Sequence, residues 1–189
     1  MPESRIAQPL LRSLINAALF QLGWWACVLS NDGALLLIPA ACLAAHFIWV
    51  GSWAREGKLV VSVMLAGSAL DTFLMQLGVF DFGAERRLLP LWLALMWALL
   101  ATTLHHSLAW SAKPWWRASV LGAIGGPLAY FGGAQLANIG LPLGTLATLA
   151  LLSITWAVVM PLTHGFAQLY DAQYRLRLAA AKQAQSRPV

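Results

Sequence analysis

The chain has 189 residues, of which 60% are hydrophobic and only 10% are charged. A soluble domain carries about 45–50% apolar and about 25% charged residues. The composition therefore excludes an ordinary soluble domain and indicates an integral membrane protein. The net charge of +5 does not indicate nucleic-acid binding, because the basic residues stand in short segments between apolar runs and form no single patch.

Six apolar runs follow one another along the chain, and each is close to the roughly 20 residues that a helix needs to cross a bilayer. They cover residues 10–30, 34–53, 59–80, 88–110, 118–137 and 143–168. The connections between them are too short to fold separately. The pattern predicts an all-α, polytopic transmembrane helix bundle with six spans, a single domain over residues 1–189 that ends in a basic segment, 169–189.

The basic residues predict how the bundle is oriented. Ten of the twelve Lys and Arg residues fall on one side of the six predicted spans. These ten are Arg5, Arg12, Arg55, Lys58, Lys113, Arg117, Arg175, Arg177, Lys182 and Arg187. By the positive-inside rule that side is cytoplasmic, which places both termini in the cytoplasm. The other side carries Asp32, Asp81, Glu85, Arg86 and Arg87 in short connections.

A single carboxylate, Asp71, lies at the middle of the third run. A charged side chain at that depth costs at least about 2.5 kcal/mol, so it is expected to face other helices and not lipid. Ser68 lies three residues before Asp71 and shares its helix face. We expect Asp71 to be buried, to be uncharged at neutral pH, and to bond to a polar side chain of the first, fourth or fifth helix.

The remaining candidate residues are polar groups that cannot profitably face lipid and are expected to converge on the interior. Together with Asp71 and Ser68 they form a candidate functional cluster: Thr102, His105, His106, His46 and Tyr130. The positive-inside topology places the four histidines, including His164, in the cytoplasmic half.

Three interpretations of these residues stay open. In the first, Asp71, Asn16, Ser68 and Thr102 hold the bundle together by interhelical hydrogen bonds. In the second, Asp71 works with His46 and His106 in a proton or substrate pathway. In the third, His46, His105 or His106, and His164 bind a catalytic metal. Since no two histidines are spaced His-x3-His on one helix, we expect no metal and no other cofactor; whether the protein is an enzyme stays open.

The fifth run is rich in glycine and contains a proline. Gly122 and Gly126 form a small-xxx-small pair that allows a neighbouring helix to approach closely, and Gly125, Ala129 and Gly132 continue the stripe. Pro127 is expected to kink the helix. The stretch predicts either close helix packing or a cavity beside the kink.

Three blocks, GSALDTFLMQLGVF, LWLALMWALLATTLHHSLAW and GAIGGPLAYFGGAQLA, resemble in order and spacing the bacterial inner-membrane family known as domain of unknown function 2878. Members of that family are often encoded near cyclopropane-fatty-acid-synthase-like enzymes and associated oxidoreductases. The resemblance implies a multi-pass protein of the bacterial cytoplasmic membrane that is an accessory or scaffold in modification of membrane lipids or fatty acyl chains. Its implied partners are membrane lipids and other lipid-modifying membrane proteins, and no nucleic acid. The family supplies no catalytic residues. The alternative is a small transporter or a membrane-embedded lipid-modifying enzyme that uses Asp71 and the histidines.

Overall fold

The computed structural model describes residues 8–30, 33–83 and 86–185, and the protein is all-α, as predicted, with 81% of its residues helical. Six α-helices follow one another in the described ranges. They are α1 (Pro9–Leu29), α2 (Leu37–Ala45), α3 (Trp53–Gln76), α4 (Leu91–Thr103), α5 (Trp116–Ala137) and α6 (Thr145–Gln185). Four charged residues used in the topology prediction, Arg5, Asp32, Glu85 and Arg187, lie outside the described residues.

Three of these helices, α3, α5 and α6, are long and apolar enough to cross a membrane. The second apolar run forms a shorter helical stretch, Ala34–Val50, and the fourth forms the short helix α4. The second stretch begins with a 3-10 turn, Ala34–Leu36, and ends in a π-helical turn, His46–Val50. The helix lengths are thus less uniform than the hydropathy pattern predicted, and three of the six described helices could cross a membrane.

The boundary between the second and third helices differs from the prediction. We expected Arg55 and Lys58 in a connection, but both lie in the first turns of α3, which begins at Trp53. Ser52 precedes the helix in an extended conformation, and its carbonyl accepts the backbone N–H groups of Arg55 and Glu56. A helix N-terminus favours an acidic side chain, and Glu56 stands in that first turn. Helix α3 therefore begins before its apolar run does, and its first turns carry these charges.

The fourth helix is shorter than its apolar run because it ends at Thr103. The hydroxyls of Thr102 and Thr103 donate to the carbonyls of Leu99 and Leu100, three residues earlier. The Thr103 carbonyl then accepts the backbone N–H groups of His106 and Leu108 in a turn. His105 and His106 accordingly lie in this turn. The fourth apolar run, 88–110, had placed them on the fourth helix, so that part of the prediction is wrong.

Helix α6 has 41 residues and is about 62 Å long at 1.5 Å per residue, so it extends well past the predicted end of the sixth run. Its later part is tied to α3. The Arg55 guanidinium contacts Asp171 at 2.7 Å, and the hydroxyls of Ser62 and Tyr170 are 2.7 Å apart. The basic C-terminal segment is thus a helical continuation of the sixth run as far as it is described.

Glycines allow the central helices to pack closely. A side chain at Gly122 or Gly126 of α5 would collide with Trp156 of α6, and one at Gly67 of α3 would collide with Trp97 of α4. The predicted close approach at Gly122 and Gly126 is therefore present. These contacts bring large indole rings into the middle of the bundle.

Candidate functional site

Asp71 of α3 is buried, with 1% of its surface exposed, and is bonded to α4 and α5. The indole N–H of Trp97 donates to its Oδ2 at 2.6 Å. The hydroxyl of Tyr130 lies 2.7 Å from Oδ1 and 2.8 Å from Oδ2. The predicted burial and interhelical bonding of Asp71 are confirmed, and its protonation state stays a prediction. One carboxyl group thus joins three helices.

The two donors to Asp71 belong to a group of stacked aromatic rings. Trp97 stacks face to face on Trp156, with ring centres 5.1 Å apart and planes inclined by 5°. Tyr130 stacks on Phe80 at 5.3 Å and meets Trp156 edge-on at 5.9 Å. Such aromatic pairs contribute about 0.5–1.5 kcal/mol beyond the area they bury. The bonds to Asp71 therefore hold a rigid group of four rings, which we call the aromatic wall: Phe80, Trp97, Tyr130 and Trp156.

This wall borders a cavity of about 230 Å³ between α1, α4, α5 and α6. On the α5 side the cavity is lined mainly by glycines and alanines, whose small size leaves it open, and aromatic rings form much of the remaining lining. Its lining includes Phe20, Trp24, Phe80, Trp92, Trp97, Gly125, Ala129, Tyr130, Gly133 and Trp156. The glycine-rich stretch around Pro127 hence does both things the sequence allowed: it packs closely against α6 through Gly122 and Gly126, and it lines a cavity through Gly125.

A second polar cluster, which we call the His–Glu–His cluster, consists of His46, Glu56 and His106. Nε2 of His46 lies 2.8 Å from Oε2 of Glu56, and Nε2 of His106 lies 3.1 Å from Oε1. Glu56 and His46 are each 1% exposed. The two imidazole rings have centres 5.2 Å apart. Each oxygen of one buried carboxylate therefore faces a different imidazole.

Three unrelated pieces of local structure bring this cluster together. His46 begins the π-helical turn His46–Val50, Glu56 stands in the first turn of α3, and His106 lies in the turn after α4. Gly51, between the π-turn and α3, packs against the cluster. A Cβ atom there would lie 2.7 Å from both Glu56 Oε2 and His46 Nε2. Only a residue without a side chain leaves the three groups in contact.

Asn16 of α1 lies next to the cluster, is fully buried, and bonds α1 to the end of α4 and the turn after it. Its amide nitrogen donates to the Thr102 carbonyl at 3.1 Å and to the Thr102 hydroxyl at 3.3 Å. Its amide oxygen accepts the Ser107 hydroxyl at 2.6 Å. The same nitrogen lies 3.4 Å from His46 Nδ1, which is too long to fix the tautomer of that ring.

The sequence-predicted residues thus fall into two groups. In the first group, Tyr130 bonds to Asp71. In the second, Thr102 bonds to Asn16, and both His46 and His106 contact Glu56. No hydrogen bond among the described residues joins Asp71 to His46 or His106, so the proposed relay partners belong to separate networks.

Among the described residues, three further side chains make no hydrogen bond to either group. His164 bonds to the Ser111 hydroxyl at 2.9 Å. The four histidines therefore do not meet at one point. Within the described part of the chain, Ser68 Oγ and His105 Nε2 are buried without a hydrogen-bond partner.

Sequence reasoning missed Glu56, because a charge between two apolar runs reads as part of a connection. The signal that was present is its position four residues after Ser52, where a helix N-terminus favours an acid. That signal predicts the helix start and gives no indication that the side chain turns inward.

Comparison with known proteins gives one match. A family model described as "Protein of unknown function (DUF2878)" matches residues 13–162, which is most of the chain. No curated protein and no solved structure matches the chain. The three sequence blocks quoted above lie inside the matched range. The chain therefore belongs to the DUF2878 family.

Proposed function

We propose that this protein holds a hydrocarbon chain of a membrane lipid in the cavity between α1, α4, α5 and α6, and acts as an accessory in the modification of membrane acyl chains. In this proposal it is a six-span protein of the bacterial cytoplasmic membrane with both termini inside. The observation that carries the proposal is the cavity of about 230 Å³ with its aromatic and glycine lining.

The chemistry of the lining favours a hydrocarbon occupant. The rings of Trp24, Phe80, Trp92 and Trp156 offer carbon surfaces to the cavity. The polar atoms of Trp97 and Tyr130 are directed to Asp71 instead. Ligand sites for polar molecules place a few convergent polar groups around the ligand. Here the indole N–H of Trp97 and the hydroxyl of Tyr130 bond to Asp71 and not to a ligand. The occupant we propose, an acyl chain, is available from the surrounding bilayer.

Binding of this kind depends on shape and not on the hydrophobic effect. An acyl chain in the bilayer is already in hydrocarbon, so its transfer to the cavity gains little from leaving water. The gain comes from dispersion contacts with close-packed atoms, which are small singly and large in sum. Rings locked by stacking and by the bonds to Asp71 are suited to this task, because they lose little freedom when a chain enters.

The six-span arrangement rests on the sequence pattern. Three helices meet the length and hydropathy of a span, and α1, with 21 residues, also has the length. The segments Ala34–Val50 and Leu91–Thr103 are shorter but continue into turns. The distribution of Lys and Arg supports cytoplasmic termini.

The test uses a variant that fills the cavity. Gly125 faces the cavity and has only an ordinary contact of 4.0 Å with Leu121, so Gly125→Leu adds four carbons without a backbone collision. Gly165→Leu on α6 is the matched control, because nothing lies within 4 Å of that position. Both proteins are purified in detergent, and the copurified lipids are counted by native mass spectrometry.

We expect wild type and Gly165→Leu to retain lipid in equal amounts and Gly125→Leu to lose most of it. Equal retention by all three, with unchanged thermal unfolding, would remove the cavity as the lipid site. A comparison of membrane acyl-chain composition in cells that carry each variant then tests the accessory role: only Gly125→Leu is expected to reproduce the composition of a gene deletion.

A further inference from the structure

We propose that the His–Glu–His cluster is a binding site for one divalent transition-metal ion, with His46, Glu56 and His106 as its protein ligands. The proposal concerns different residues from the lipid cavity and does not depend on it. The metal class follows from the donors: two imidazole nitrogens and a carboxylate oxygen suit zinc or iron(II) and not a soft-metal thiolate site.

The donor atoms are already gathered for such a site. One donor atom from each of the three residues lies within 4.8 Å of the other two. Zinc binds imidazole nitrogen at about 2.0–2.1 Å and carboxylate oxygen at about 2.0–2.2 Å, and many catalytic zinc sites have three protein ligands and one open position. A small outward rotation of the two rings from Glu56 makes room for an ion among these atoms.

The charge of the cluster favours a cation. Glu56 is 1% exposed, and a buried carboxylate requires a compensating charge. Its contacts are with two histidines, which carry charge only when protonated. The adjacent Arg55 pairs with Asp171 instead. A divalent ion at the centre of the cluster supplies the missing positive charge and leaves both imidazoles neutral, which is the state in which they act as ligands.

The backbone at position 51 approaches the donor atoms of the cluster closely. Gly51 packs against Glu56 and His46 at a place where a Cβ would lie 2.7 Å from donor atoms of both. His46 begins the π-helical turn that ends the second helical stretch at Val50, directly before Gly51.

A hydrogen-bonded triad without metal is the competing explanation of the same contacts. The two explanations differ in what a cobalt(II) probe reports. Cobalt(II) occupies zinc sites and absorbs visible light with an intensity that depends on its coordination. A triad that does not bind metal gives no such absorption, whatever its protonation.

The experiment uses the full chain in detergent, purified through an affinity tag that contains no histidine and then treated with a chelator. Zn²⁺ is added, free metal is removed, and bound metal is measured by inductively coupled plasma mass spectrometry. Co²⁺ is titrated in parallel and followed by absorption. We expect one equivalent of either ion per chain.

Three variants assign the ligands. Glu56→Gln keeps the shape of the side chain and removes its charge, and we expect stoichiometric binding to be lost. His106→Cys replaces a nitrogen ligand by sulfur, and we expect a new sulfur-to-cobalt charge-transfer band in the near ultraviolet. Gly51→Ala retains all three ligands but crowds them, and we expect metal affinity to fall by about 10- to 100-fold, as when groups around a metal site are altered.

The control is His164→Gln, which changes a buried histidine outside the cluster that is bonded to Ser111. We expect it to bind metal as wild type does. The proposal is overturned if wild type binds substantially less than one equivalent of metal per chain, or if Glu56→Gln binds as much as wild type. The cobalt spectrum of His106→Cys keeps the proposal testable even if Glu56→Gln does not fold: an unchanged spectrum at full occupancy excludes residue 106 as a ligand.

Discussion

The hydroxyl of Tyr130 lies between the two oxygens of the Asp71 carboxyl group, at 2.7 Å from one and 2.8 Å from the other. Trp97 approaches the same group from α4 at 2.6 Å. The two residues that donate to Asp71 also line the cavity. The carboxyl group of Asp71 therefore fixes the positions of two rings that line the cavity, Trp97 and Tyr130.

The first prediction concerns the chemistry of this bond. Asp71→Asn keeps both contacts, because its oxygen accepts the Trp97 N–H and its amide donates to the Tyr130 oxygen, which is able to accept. We expect the free energy of unfolding to fall by less than about 1 kcal/mol. Asp71→Leu leaves both donors buried without an acceptor and is expected to cost about 1–3 kcal/mol. Thermal unfolding in detergent measures the difference.

The same pair of variants separates structure from function. If Asp71→Asn unfolds like wild type yet gives the acyl-chain composition of a gene deletion, Asp71 titrates or binds substrate. If Asp71→Asn is fully active, a proton relay through Asp71 is excluded and its bonds to Trp97 and Tyr130 account for the residue.

The second prediction concerns the contact between α3 and α4. A methyl group at Gly67 would collide with the Trp97 ring, so Gly67→Ala forces the ring out of its stack on Trp156. We expect the variant to lose about 1–3 kcal/mol of stability, the range for overpacked cores. Gly165→Ala is the control: with open space around it, it is expected to be neutral or to gain up to about 1 kcal/mol of helix propensity. Equal melting temperatures for the two variants would contradict the packing described.

The third prediction concerns Asn16, which joins α1 to the segment Thr102–Ser107. Asn16→Leu removes the acceptor of the Ser107 hydroxyl and a donor to the Thr102 carbonyl. We expect a loss of about 1–3 kcal/mol, because these groups are left buried and unpaired. Gln21→Leu, an amide on the exposed side of the same helix, is expected to change stability by less than about 0.5 kcal/mol. A similar loss in both variants would show that any amide on α1 matters equally.

The fourth prediction concerns topology. Reporter fusions after Gly83 and after Ala112 are expected to lie on opposite sides of the membrane, the first outside and the second in the cytoplasm, because the Lys and Arg excess borders the second position. Alkaline phosphatase, active only outside, and green fluorescent protein, fluorescent only inside, give complementary readouts. A cytoplasmic fusion at Gly83 would refute the six-span arrangement.

Sequence alone determined the fold class of the protein and, of its two buried polar groups, the one around Asp71. Hydropathy and helix length are local properties, so an all-α fold with helices that could cross a membrane could be inferred from the chain itself. The family could be inferred from the resemblance of three sequence blocks. The cost of a charge in hydrocarbon likewise fixed that Asp71 is buried and bonded to another helix. The glycines at 122 and 126 indicated close packing, since only small residues permit it.

Only the tertiary structure decided which side chains meet. The sequence pattern gave no indication of a polar role for Trp97, whose indole N–H donates to Asp71 because α4 packs against α3. Glu56 lies 10 residues from His46 and 50 from His106, and no local period relates positions in a π-turn, a first helical turn and a loop. Helix ends also depended on hydrogen bonds to the carbonyls of individual residues, Ser52 just before α3 and Thr103 at the end of α4, which hydropathy does not register. Contacts between residues so far apart in the chain are set by how the helices pack. The sequence pattern predicts such a contact only where a buried charge such as Asp71, or a glycine such as Gly122, restricts which helix faces can meet.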